Sequence, residues 1–188
     1  MVAVLLAAGC GGGARQDAAE PSGAFKVEVV SASFPRTQHI AQTVLLRVRV
    51  RNADTRALPL AVTIETEPPE AGLAPAAFGQ RSSDAQQADS ERPVWVLDRG
   101  PLGGETAAVN TWSAGPLGPG RSRLLTWRLV AAKAGSYTVA YRVSPGLTGK
   151  AKAAAGRRVE GRFRVTIDDQ PVPAHVGANG EVVRGGSS

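Results

Sequence analysis

Few side chains in this sequence are equipped for chemistry, and their spacing removes most of the reactions their types suggest. A nucleophilic serine needs a histidine base within hydrogen-bond reach. The two histidines are His39, in "RTQHIAQ", and His175, near the C-terminus, and no G-x-S-x-G elbow presents a serine to either. Both read as surface groups in loops. The carboxylates Asp98, Glu105, Asp168 and Asp169 stand at the ends of apolar segments. Aspartate favours turns because its side chain bonds to nearby backbone, which explains them as well as acid–base work does. Copper would want imidazole or soft sulfur ligands, yet the chain has one cysteine, Cys10, and one methionine, Met1. Scattered single aspartates make no calcium loop. The expectation is a chain without catalytic residues, metal or cofactor.

What remains is charge and aromatic surface. Lys and Arg number 22 against 16 Asp and Glu, a formal net charge of +6. Lysine occurs only at Lys26, Lys133, Lys150 and Lys152, so the excess is carried by arginine. Arg47, Arg49 and Arg51 alternate through "TVLLRVRVRN", and Arg162 and Arg164 through "EGRFRVTID". No aromatic shares their face, so the stacking half of a nucleic-acid platform is missing and no nucleic-acid partner is expected. The simplest reading is a solvated sheet face whose cations also deter edge pairing. Should these arginines recognise anything, they are candidates for contact with an anionic wall polymer or lipid surface. Trp95 lies amid Val94 and Val96, and Trp127 between Leu125 and Leu129 in the same register. With Trp112 they are expected in the core rather than on a sugar-binding platform.

The elements that must position these groups are short strands. "FKVEVVSASF" alternates Phe25, Val27 and Val29 against Lys26 and Glu28, the period of a half-buried strand. "TVLLRVRVRN", "LPLAVTIET", "PVWVLD", "TAAVNTW", "RLLTWRLVA", "SYTVAYRV" and "EGRFRVTID" follow, divided by Gly, Pro and Asn-Ala-Asp turns. Residues 67–92 break the rhythm with Pro68-Pro69 and a polar run, and read as one long loop, a functional candidate by its length. No helical period and no internal repeat intervene. About eight strands of this kind predict an all-β, antiparallel β-sandwich over residues 25–168. Residues 169–188, rich in Pro and Gly, are expected to form a loose tail.

The chain opens "MVAVLLAAGCGGG". An apolar run, small residues and then the lone cysteine match the end of an export signal, and "LAAGC", Leu6–Cys10, resembles the lipobox of bacterial lipoproteins. That resemblance implies that residues 1–9 are removed, that Cys10 is lipidated, and that residues 10–24 are a flexible tether to the extracytoplasmic face of the cell membrane. No positive residue precedes Val2, so the signal is expected to start upstream of Met1.

At "AGSYTVAYRV" the pattern G-x-Y-x-V-x-Y resembles the penultimate strands of bacterial immunoglobulin-like domains. "LLRVRVRNADTRALPLAVTI" resembles the cell-adhesion-related bacterial domains, and the whole is similar to uncharacterised lipoproteins of GC-rich Gram-positive bacteria. "YTVAYRVS" also resembles a strand of periplasmic copper-resistance proteins, but the Asp-Gly-His that would supply a ligand there is replaced by Pro145-Gly146-Leu147. The resemblance implies a membrane-anchored, non-catalytic module that works by contact with an envelope protein or wall polymer. The alternative is a small-ligand carrier or sensor with a pocket under the 67–92 loop.

Overall fold

The structure, a computed structural model, describes residues 20–66, 77–80, 93–102, 104–108 and 110–184. Cys10, the signal-like residues before it and most of the 67–92 segment lie outside the described residues.

The described residues fold as two packed main sheets, with two further two-stranded ribbons beside them. Seven strands come from the segments whose alternation is plain in the sequence: β2 (Val27–Ser33), β4 (Thr43–Asn52), β5 (Leu58–Thr66), β7 (Trp95–Arg99), β10 (Ser122–Ala131), β11 (Gly135–Ser144) and β13 (Glu160–Pro171). An eighth, β9 (Thr111–Leu117), keeps only the last two residues of "TAAVNTW" and runs on through Gly115-Pro116-Leu117, because Asn110, with φ of 60°, breaks that segment. Seven shorter ones fill between them: β1 (Gly23–Phe25), β3 (Thr37–Ile40), β6 (Phe78–Gln80), β8 (Glu105–Ala108), β12 (Ala151–Ala153), β14 (Ala174–Val176) and β15 (Val182–Arg184). One main sheet has the order β2-β4-β10-β7-β6, the other β3-β13-β11-β5-β9-β8, and the ribbons are β1-β12 and β14-β15. The neighbours β2-β4-β10-β7 and β13-β11-β5 are those of the ABED and GFC sheets of an immunoglobulin-like sandwich. Between β5 and β10 the chain crosses to the five-stranded sheet for β6 and β7, returns for β8 and β9, and crosses again.

The long strands pair antiparallel, as expected, but β1 on β12, β3 on β13 and β6 on β7 are parallel. At three or four residues each, they are too short to display a period. One of them, β6, lies inside the segment read as a single loop. Ala77 and Phe78 there are buried, and the Trp95 amide donates to the Ala77 carbonyl at 3.1 Å. The C-terminal segment is also more ordered than its composition suggests. β13 continues to Pro171, and β14 and β15 form a hairpin whose turn is closed by the Gly177 amide on the Glu181 carbonyl, with Gly180 in the left-handed region.

Alternation puts Leu46, Val48 and Val50 of β4, Leu125, Trp127 and Leu129 of β10, Val139, Tyr141 and Val143 of β11 and Val165 and Ile167 of β13 into one core. All three tryptophans are buried, as expected of core residues. Trp112 and Trp127 meet edge to face with ring centres 5.5 Å apart, a favoured aromatic geometry. Trp95 Nε1 donates to Gln38 Oε1 at 2.7 Å, and Gln38 Nε2 donates to the Pro35 carbonyl. The buried amide thereby satisfies the indole, as a polar group removed from water requires. The Tyr137 hydroxyl donates back to the Ala134 carbonyl at 2.9 Å, a tyrosine corner at the start of β11.

Candidate functional site

The arginines are set on the two outer faces, and the faces point away from each other. On β4, Arg47, Arg49 and Arg51 are exposed while Val48, Val50 and Asn52 are buried. Across the sheet, Arg47 is flanked by Ser33 and Thr126, Arg49 by Ser31 and Leu124, Arg51 by Glu28 and Ser122. Arg51 lies 3.8 Å from Glu28, and further across the sheet Arg128 pairs with Asp98 at 2.8 Å. β4 has a neighbour on either side, so its arginines guard no edge, contrary to one part of the sequence reading. Two hydrogen-bonded partners already use its backbone groups.

Arg162 and Arg164 belong to β13 on the other sheet. There β3 covers the strand only from Thr166 onward, leaving the earlier part as an edge, where cations do discourage pairing. The two sets therefore form no single arginine surface. Arg162 and Arg164 join residues that sequence reasoning did not single out. On the outer face of the six-stranded sheet the floor is built from small side chains: Thr63 of β5, Thr111 of β9, and Ala140 and Ser144 of β11. Thr63 and Thr111 share a hydrogen bond at 3.1 Å. Long side chains, Glu65, Arg142, Glu160 and Arg162, rise around them and enclose a depression of about 770 Å³. A second depression of about 450 Å³ continues from Arg162 along β13 and is lined by Arg36, Thr138, Phe163 and Arg164. Together they form an open trough with arginines at one end and mixed charge at the other, where Arg142 pairs with Glu160 at 3.6 Å.

Arg36 reaches this trough through pairing distant in sequence. The Thr166 amide donates to its carbonyl at 2.8 Å, and Thr37 then enters register with Thr166. No local signal marks it. Guanidinium groups along a groove with a polar floor suit phosphate or carboxylate oxygens, which they can meet with paired N–H donors.

The candidate acid–base groups do not converge. Asp98 pairs with Arg128. Asp168 accepts the Gln170 amide at 2.8 Å, and Asp169 accepts the Gln170 side chain at 3.2 Å. Glu105 opens β8. The histidines sit in strands rather than loops. His39 of β3 has Nδ1 3.1 Å from the Gln170 carbonyl oxygen, and His175 lies in the exposed β14. Strand addition on β13 recruits β3, whereas β14 pairs with β15 in a separate hairpin. Among the described residues no group of three or more His, Cys, Asp or Glu is gathered to hold a metal ion, and no helix is long and apolar enough to cross a membrane.

A cluster that sequence reasoning missed lies where the N-terminal segment meets the sandwich. Residues 20–24, the last part of the stretch read as a tether, are docked. β1 pairs with β12, and the Gly23 amide donates to the Lys150 carbonyl at 3.0 Å. The Glu20 carboxylate accepts the amides of Leu147 at 2.7 Å, Thr148 at 2.9 Å and Ala151 at 3.3 Å. Burial pushes this carboxyl up, but those amides and the Thr148 hydroxyl outweigh it and hold the group below its ordinary value. Beside it, Asp54 is held well below the usual carboxylate range by the Lys26 amide and then by the Arg56 guanidinium. Arg56 donates to the Ala24 carbonyl at 2.7 Å and lies 4.1 Å over the Phe25 ring. Buried Asn52 completes the corner, donating to the carbonyls of Arg56 and Leu117 and accepting the Asp54 amide.

No protein-family model matches the sequence, and no curated protein matches it. Solved structures align at low identity. A CARDB domain of a Pyrococcus furiosus protein, determined in complex with di-metal ions, is 12% identical, covers 78% of this chain and 94% of that one, and gives a TM-score of 0.45. A cohesin module from a Clostridium perfringens family 33 glycoside hydrolase is 8% identical over 78% and 99% of the two chains, with a TM-score of 0.47. The cupredoxin domain of amoB from Nitrosocaldus yellowstonii is 9% identical over 81% and 92%, with a TM-score of 0.43. Sandwiches of this kind carry many unrelated functions, so such likenesses say nothing of this chain's activity.

Proposed function

We propose that this protein is a non-catalytic immunoglobulin-like module, anchored through Cys10 to the extracytoplasmic face of the cell membrane, that works by contact with an anionic polymer of the cell wall. The observation that carries the contact is the trough on the six-stranded sheet, with Arg36, Arg162 and Arg164 along a polar, small-residue floor. The lipobox-like "LAAGC" supports the anchor. Arginine binding of this type is electrostatic, so it falls as salt rises.

The test is co-sedimentation of the Cys10→Ser chain with purified cell walls. Arg36→Ser with Arg164→Ser is expected to weaken binding at least tenfold, roughly the 1.5–3 kcal/mol of one hydrogen bond to a charged group. Arg47→Ser with Arg49→Ser, on the opposite face, is expected to change it little. Equal losses from both pairs would reduce the trough to a share of net charge. Retention on walls stripped of their anionic polymer would point to an envelope protein instead. Cys10→Ala is expected to let high salt strip the protein from membranes, which the acylated protein resists.

A further inference from the structure

The end of the sandwich that receives β1 is strongly basic. Lys26, Arg121, Lys150, Lys152, Arg157 and Arg158 are all exposed in its loops and short strands. Of these, only Arg157 meets a carboxylate among the described residues, Glu28 at 3.2 Å. Of the acids at this end, Glu28 is taken up by Arg157 and Arg51, while Glu20 and Asp54 are turned onto backbone amides, and Asp54 also onto Arg56.

We infer that this basic end is a second binding surface, adjoining the trough at Glu160 but not using its Arg36 and Arg164, and that it seats on the anionic phospholipid head groups of the membrane. The inference rests on the anchor proposed at Cys10, and covalent geometry supplies the argument. Glu20 is fixed to the Leu147–Ala151 loop, so only residues 11–19 separate the docked chain from Cys10. Ten residue steps span at most about 35 Å. A ten-residue strand such as β4 is itself about 33 Å long. The far end of the sandwich could touch the same surface only with the linking residues fully stretched along its whole length. The near end reaches the surface with those residues at any extension up to that span. Each lysine or arginine near an anionic membrane contributes about 1 kcal/mol, close to a fivefold change in binding, and a basic patch is the kind of second signal that makes acyl anchoring firm.

The test uses the full chain with Cys10→Ser, hence unacylated, and vesicles of phosphatidylcholine with or without phosphatidylglycerol, whose anionic head groups supply the negative surface potential. Binding is expected to the anionic vesicles and to fade with salt. Lys150→Gln, Lys152→Gln and Arg158→Gln together should weaken it by about a hundredfold, with an unchanged circular dichroism spectrum. Arg36→Ser with Arg164→Ser should leave it within about twofold. Equal binding to both vesicle types, or a triple variant that binds as well as the parent, would overturn the inference. Labelled fatty acid fed to cells reports on the anchor separately. Failure to label Cys10 would overturn the anchor while the vesicle readout still decides the surface.

Discussion

At the residue scale, the positions that matter most to this fold are those where the backbone leaves the strand conformation. Ala41 closes the β3–β4 turn with φ of 61°, between the Gln42 amide on the His39 carbonyl and its own amide on the Ala131 carbonyl. A residue with a Cβ pays about 1–2 kcal/mol in that region, whereas glycine costs about 0.5–1 kcal/mol in chain entropy. The first term exceeds the second, so Ala41→Gly should stabilise the protein by about 0.5–1 kcal/mol and raise its melting temperature by about 2 °C. A calorimetric melt that moves down instead would contradict the turn geometry. Nothing in "HIAQT" announces that turn, because an alanine there gives no glycine signal. Alternation, in contrast, made Trp95 and Trp127 readable as core. Their neighbours fix which face they take, and burial of a large aromatic side chain dominates local energetics.

At the element scale, the long strands were legible because each buries one face and so writes a period of two into the sequence. The short ones were not. β1, β3, β6 and β12 exist through main-chain bonds to distant partners, and main-chain bonds leave no trace in side-chain type. The docking of residues 20–24 is the clearest case, since Glu20 in a Gly- and Ala-rich stretch looks like part of a linker. Its carboxylate is the device that seats β1 beside β12, and its behaviour with pH follows from the sign of its shift. The folded group lies below its ordinary 4.5, so between the two values the unfolded chain binds the extra proton. Its stabilising contribution is therefore complete above about pH 4.5 and is lost as pH falls through the depressed folded value. Glu20→Gln should melt below the parent at neutral pH, with the gap closing on acidification. A gap that is constant from neutral pH to about pH 3 would mean that the carboxylate's charge plays no part in the clamp. The trough was half legible. Arg162 and Arg164 stood out by alternation, but Arg36 reaches them only through the parallel β3–β13 pairing, and the floor of Thr63, Thr111 and Ala140 is assembled from three strands.

At the scale of the whole molecule, the two proposed surfaces have different orientations. The basic end lies across the strand axis, and the trough runs along a sheet face parallel to it. A sandwich seated on its basic end would hold the trough upright, so one copy could bind membrane and wall polymer together. For that to work, the surfaces must act independently. Arg164 stands four residues along β13 from Glu160, about 13 Å by strand rise, and the basic loops lie beyond that point. This exceeds the screening length of about 8 Å at physiological salt. Sites further apart than about 7–10 Å with no shared partner generally combine additively. Combining Arg36→Ser and Arg164→Ser with Lys150→Gln and Lys152→Gln should thus weaken wall binding no more than the first pair does alone. The same variant should weaken vesicle binding no more than the second pair does, each within about 0.5 kcal/mol. Isothermal titration of the four-fold variant against polymer and against anionic vesicles measures both. A coupling well above that value at low salt that vanished at physiological salt would mean that the surfaces share one field. A coupling that survived physiological salt would mean that they share a structural element, for which β13 and the loop leading into it at Arg158 are the connection available.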